Sequence, residues 1–111
     1  MLRVLLALLC LVVASAAAAE CGKASFYADR FDGRRTASGE TFRQSAATCA
    51  HKTLPLGARI RVERADGRYV DCRVNDRGPF VRGRVVDLSR SLANRLGMAK
   101  AGVISVCLRR I

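Results

Sequence analysis

The chain has 111 residues, with 20 Lys and Arg against 9 Asp and Glu and a formal net charge of +11. That length allows one small domain, and that charge points to an anionic polymer or surface as partner, although an Arg-rich composition also follows from a GC-rich genome. A single His and the lack of any C-x-x-C pair argue against a zinc framework, and two Tyr, four Phe and no Trp are poor equipment for a long aromatic sugar platform. In chain order, residues 1–19 read as an export leader. Arg3 gives the positive start, Leu5 to Val13 the apolar run, and Ala17-Ala18-Ala19 the small-residue cleavage site. The run is short for a bilayer span, so a retained membrane anchor is the lesser alternative. A lipid anchor needs a small residue just before its cysteine, but Cys10 follows Leu9 and Cys21 follows Glu20.

The domain is then expected over 20–111, periplasmic or secreted, with a monomer as its state. Export argues against nucleic acid as the anionic partner, and nothing in the composition asks for a cofactor. Cys21, Cys49, Cys72 and Cys107 remain after cleavage. An even count in a small exported domain reads as two disulfides, each contributing about 2–4 kcal/mol. Such a domain buries only roughly 60–65% of its unfolded surface, so covalent staples are useful to it.

Gly22 to Ala28 reads as a first strand with Ala24, Phe26 and Ala28 on one face. Asp29 to Gln44 is a polar segment broken by Gly33 and Gly39, a functional loop by its length. Ala58 to Arg64 alternates, with Ile60 and Val62 inward, and Asp66-Gly67 is a hairpin signal. Arg68 to Asn75 returns as a strand with Val70, Cys72 and Val74 on one face. Asp76 to Gly83 is a loop, and Arg84 to Leu88 a short strand. Ser89 can cap a helix whose buried stripe is Leu92, Ala93 and Leu96 and whose stop is Gly97. A last strand after Gly102 carries Ile104, Val106 and Leu108. Five or six strands and one short helix favour a closed barrel, which leaves no sheet edge exposed.

The chemistry concentrates between Ala50 and Ser89. His51 and Asp76 head two turn-rich loops, and a His and a carboxylate brought together form an acid–base pair. Both residues also have plain structural readings: Asp76 can close an Asx turn on the Gly78 amide, and His51 can be a satisfied structural imidazole. Asp87 stands just before a helix, where it is either a cap or a groove residue. Thr36, Ser38 and Glu40 offer sugar contacts or simply a tight polar turn. Tyr27 either stacks on a sugar or packs in the core, and Lys52 is a solvated charge or a clamp.

The strings Gly22-Lys-Ala-Ser-Phe-Tyr-Ala28, Thr36-Ala-Ser-Gly-Glu-Thr-Phe42, Ala50-His-Lys-Thr-Leu-Pro-Leu-Gly57, Asn75-Asp-Arg-Gly-Pro-Phe80 and Val85-Val-Asp-Leu-Ser-Arg90 together resemble the rare lipoprotein A domain of bacteria. The resemblance runs from Gly22 to about Val106. It implies a mainly β fold, a six-stranded double-psi β-barrel with one short helix. It also implies an endolytic lytic transglycosylase that acts on peptidoglycan glycan strands, preferring those without stem peptides, and leaves 1,6-anhydromuramic ends. By motif, the catalytic Asp falls on Asp76 and the essential His on His51. Tyr27, Thr36, Ser38, Glu40, Lys52, Asn75, Arg77 and Asp87 are the candidate substrate contacts. The chain departs from the family pattern in having Phe26-Tyr27-Ala28 where Trp-Tyr-Gly is usual, and in its four cysteines. A non-catalytic, expansin-like wall-binding module is the second hypothesis, and a secreted basic inhibitor the third. Bringing His51 to Asp76 also brings Cys49 towards Cys72, and a closed barrel can set the first strand beside the last. The favoured pairing is therefore Cys49–Cys72 with Cys21–Cys107, and no metal is expected.

Overall fold

The structure is a computed structural model that describes residues 19–111. The leader assigned to residues 1–19 lies outside the described residues except for Ala19. Among the described residues no helix is long and apolar enough to cross a membrane.

Six strands carry the fold: β1 (Glu20–Phe26), β2 (Thr48–Ala50), β3 (Arg59–Arg64), β4 (Tyr69–Asp76), β5 (Arg84–Leu88) and β6 (Ile104–Arg110). One helix, α1 (Arg90–Arg95), and a 3-10 turn at Asp29–Phe31 complete it. The strands close into a barrel in the order β1-β5-β2-β4-β3-β6. β1 with β5 and β2 with β4 run parallel, and the other four pairings are antiparallel. This is the barrel that the resemblance implied.

Period-two alternation places Ile60, Val62, Val70, Cys72, Val74, Val106 and Leu108 inside, each at most 3% exposed. Most of their outward neighbours on β3 and β4 are charged, among them Arg59, Arg61, Glu63, Asp71 and Arg73. Arg61 and Asp71 are cross-strand partners and form a two-bond ion pair at 2.8 and 3.1 Å, with Arg61 also lying 4.0 Å over the Tyr69 ring. Gly67, at φ 90°, makes the turn between β3 and β4 that a side chain would oppose. Ser89 caps α1 by accepting from the Leu92 amide, and Leu92, Ala93 and Leu96 join the barrel core without measurable exposure. Burying each leucine contributes about 1.5–3 kcal/mol.

Both disulfides are present. Cys49–Cys72 lies in the core across β2 and β4, and Cys21–Cys107 lies on the exposed face where the two residues are direct partners of β1 and β6. The sequence carries no sign of β2. All three of its residues are buried, so it has no alternation to read. Two irregularities of register shape the mouth of the barrel. Between Cys49 and Ala50 the register of β2 on β4 skips one residue, so Asn75 is the extra residue of β4. Between Lys23 and Ala24 the register of β1 on β5 skips Val85. Each bulge turns the next side chain to the other face. Gly22 makes room for the second bulge, because a Cβ there would stand 2.5 Å from Val85 Cγ1.

Candidate functional site

The bulges explain where the acids point. β4 buries Val74 and Asn75 in succession, so Asp76 emerges from the sheet at its end. In β5, Arg84 and Asp87 are three apart and would face opposite ways in a regular strand; the skipped Val85 puts both on one side. Asp76, Asp87, Arg84, Tyr27 and Ser25 line one groove of about 670 Å³, with Phe80 at its mouth.

Asp76 is held from three directions. Oδ2 accepts the Tyr27 hydroxyl at 2.6 Å, and Oδ1 accepts the amides of Ala37 and Arg77, both at 2.9 Å. A carboxylate oxygen has two lone pairs, so Oδ2 keeps one acceptor site beyond its bond to Tyr27. Tyr27 is buried against Phe42 and Phe31, with ring centroids 4.1 and 5.9 Å away. Burial, and then the hydrogen bond to Asp76, pushes its phenol well above the usual range, so it remains a donor throughout.

Asp87 is different. Ser25, its direct partner across β1 and β5, donates to Oδ1 at 3.2 Å. Burial raises its carboxyl from 3.8 to about 6; the Ser25 bond and the Arg84 charge oppose that rise, and the Asp76 charge adds to it. Two carboxyls thus share one groove in unlike surroundings, and that of Asp87 keeps its proton towards neutrality. Asp87 does not cap α1; Ser89 does.

The imidazole of His51 does not meet the Asp76 carboxyl, contrary to expectation. The two residues adjoin only through the main chain, where the His51 amide donates to the Asp76 carbonyl at 3.1 Å. The residue is 3% exposed, and it lines a separate small cavity of about 130 Å³. Its Nδ1 accepts the amides of Thr53 and Leu54 at 3.1 and 3.0 Å. The proton therefore sits on Nε2, which donates to Glu20 Oε1 at 3.0 Å. His51 holds the 51–54 turn and the start of β1.

Other expected contacts are also committed elsewhere. Arg77 lines the groove, but its guanidinium donates to the carbonyls of His51 and Leu54 at 3.2 and 2.7 Å. The Glu40 carboxylate is paired with Arg73, and that partner holds it below the usual carboxylate range. Thr36 and Ser38 bond one another at 2.9 Å, with Thr36 also donating to the Glu40 carbonyl. These three stiffen the loop whose Ala37 amide reaches Asp76, but they do not line the groove. Asn75 is buried, 2% exposed, and Lys52 is exposed; neither lines the groove. Ser25, Arg84 and Phe80 join the site without a sequence expectation behind them. The position of Ser25 opposite the Ala24 and Phe26 face is a usable signal, whereas Arg84 requires the bulge to be known.

A family model described as "Lytic transglycolase" matches residues 19–108. The chain is 51% identical over 88 residues to the "Probable endolytic peptidoglycan transglycosylase RlpA" of Synechocystis, covering 78% of this chain and 27% of that protein. It is 49% identical over 83 residues to the "Endolytic peptidoglycan transglycosylase RlpA" of Pasteurella multocida, covering 74% and 28%. The Neisseria meningitidis serogroup A protein of the same name is 43% identical over 93 residues, covering 83% and 39%. The chain thus spans less than half the length of these relatives. Among solved structures, the Streptomyces papain inhibitor superposes with a TM-score of 0.68 at 23% identity, covering 87% of this chain and 97% of that one. A Clavibacter michiganensis expansin gives 0.62 at 20%, covering 84% and 50%. At those identities the two structures speak to the fold.

Proposed function

The chain belongs to the lytic transglycolase family of double-psi β-barrels, and from that premise we propose that it cleaves peptidoglycan glycan strands, preferring peptide-free ones, without hydrolysis. The observation that carries the chemistry is the pair of carboxyls in one groove, Asp76 held by three donors and Asp87 protonated up to about pH 6. The sequence alone favours Asp76 for both proton steps, with His51 as its partner. The geometry supports dividing the steps between Asp87 and Asp76.

In this reading Asp87 gives its proton to the glycosidic oxygen as the bond from C1 breaks. The muramic C6 hydroxyl bonds to C1, and its proton passes to Asp76 through the open site on Oδ2. The product carries a 1,6-anhydro ring, and no water is consumed. A proton donor is most effective when its pKa lies near the working pH, which a carboxyl at about 6 satisfies far better than an exposed one. Tyr27 holds Asp76 in place, and Ser25 holds Asp87. His51 acts behind the site, fixing the turn that Arg77 also grips. A glycan strand outside the cytoplasm agrees with an exported domain over 20–111.

The test is incubation of the purified domain with peptide-free glycan strands, followed by mass spectrometry. Ends lighter by one water than hydrolysed ends are expected. Retention of the protein on the strands with no new ends would make it a wall-binding module instead.

A further inference from the structure

Four arginines line the groove, and the guanidinium groups of three have partners in the protein. Arg34 lies 5.4 Å over the Phe31 ring, Arg35 reaches the Gly39 carbonyl at 3.4 Å, and Arg77 is bonded to two carbonyls. Arg84 is half-buried, yet among the described residues its side chain makes no hydrogen bond or ion pair. A partly desolvated guanidinium has five donors and no acceptor of its own, so an uncommitted one in a groove is suited to an anion. The bulge at Val85 sets it on the same side as Asp87, close enough for its charge to act on that carboxyl. Phe80, which lines the same groove, is 83% exposed, an apolar ring facing solvent.

On the glycan reading, we propose that Arg84 binds the free lactyl carboxylate of a muramic acid whose stem peptide has been removed, while the apolar face of a sugar ring rests on Phe80. In peptide-bearing strands that carboxyl is locked in an amide and is neutral. Removing the peptide exposes a planar anion that matches the two-pronged Arg fork. The ionised Asp76 carboxylate opposes an anion in this groove, and Arg84, on the same side as Asp87, supplies a charge and a fork that no neighbouring side chain has taken up. Arg84 is thereby the residue that sets a preference for peptide-free glycan.

The test measures binding by calorimetry in an Asp76→Asn background, so that turnover does not interfere. The two ligands are peptide-free glycan and the same glycan with its lactyl carboxyls capped as methylamides. The parent is expected to bind the free form about tenfold more tightly, the scale of one charge-assisted pair. Arg84→Gln should bind both forms equally, and Arg84→Lys, which keeps the charge and loses the fork, should fall between. Phe80→Ala should weaken both forms alike. If the parent does not discriminate, or if folded Arg84→Lys and Arg84→Gln both keep the full ratio, the inference is overturned. Discrimination in a protein whose wild type makes no anhydro ends would remove the catalytic reading and leave this one standing. Anhydro ends without discrimination would do the reverse.

Discussion

Tyr27 and Asp76, 49 positions apart, are joined by a single hydrogen bond of 2.6 Å from the phenol to Oδ2. It ties the residue just after β1 to the last residue of β4, and so fixes a carboxyl across the barrel mouth. The phenol remains a donor at any working pH because burial and the Asp76 charge oppose its ionisation. Tyr27→Phe keeps the ring packing on Phe42 and removes only this bond. Turnover is expected to fall about 10- to 100-fold, and stability by about 1.5–3 kcal/mol, the scale of a hydrogen bond to a charged group. A steady-state assay beside a thermal melt checks both; unchanged turnover would show that Asp76 does not need the bond.

Asp76→Asn separates charge from shape. An asparagine can still accept the Ala37 and Arg77 amides at Oδ1 and can donate to the Tyr27 oxygen from its amide nitrogen. The melting temperature should therefore move by only a few degrees, while turnover falls at least about 100-fold, as loss of a proton-transfer group requires. Wild-type rates in this variant would remove Asp76 from the chemistry.

On the proposed mechanism, Asp87 is expected to make both turnover and stability depend on pH. Its carboxyl is raised from 3.8 to about 6 chiefly by burial. The folded state then binds its proton more tightly than the unfolded chain. The associated stability is fully present below about pH 4, falls as pH rises, and is gone above about pH 6, with an upper limit of about 3 kcal/mol. Asp87→Asn should therefore abolish turnover and yet melt higher than wild type at pH 7, the difference shrinking towards pH 4. Wild-type turnover should decline as pH rises through about 6. A variant that melts lower at pH 7 would show that the carboxylate is not held at a cost.

The barrel was legible because β3, β4 and β6 each have one face inside and one outside, so Ile60, Val70 and Val106 mark the core by alternation alone. β2 was not, because Thr48, Cys49 and Ala50 are all buried. The same limit hides the site. Asp76 and Asp87 could be named from their motifs, but Arg84 joins Asp87 only through a skipped residue in the register, and no pattern in the chain announces a bulge. His51 misled for a related reason. Proximity of main chains in β2 and β4 was sound, but the side chain leaves on the far side, towards Glu20.

The two disulfides differ in exposure, and chemistry should separate them. Cys21 and Cys107 are exposed, whereas Cys49 and Cys72 are at most 1% exposed. A mild reductant with an alkylating trap should label Cys21 and Cys107 first, leaving Cys49–Cys72 intact until the barrel opens. Loop-closure entropy assigns about 3 kcal/mol to the 23-residue link and about 5 kcal/mol to the 86-residue link. Peptide mapping that found Cys49 and Cys72 labelled at the same rate as the outer pair would contradict the closed core.

His51 provides the sharpest contrast between a positional and a chemical role. The ring satisfies the amides of Thr53 and Leu54 and the carboxylate of Glu20, and none of its atoms lines the groove. His51→Ala leaves those two amides unpaired, a cost of about 1–3 kcal/mol, which in a domain of this size lowers the melting temperature by roughly 4–24 °C. Turnover should fall as well, because the 51–54 turn carries the carbonyls that hold Arg77, and the Arg77 amide holds Asp76. The pH profile decides between the roles. With His51 as a brace, the residual activity of a folded His51→Gln variant still declines through about pH 6, as Asp87 dictates. With His51 as the proton carrier, turnover would be lost from the variant altogether while its melting temperature stayed near wild type.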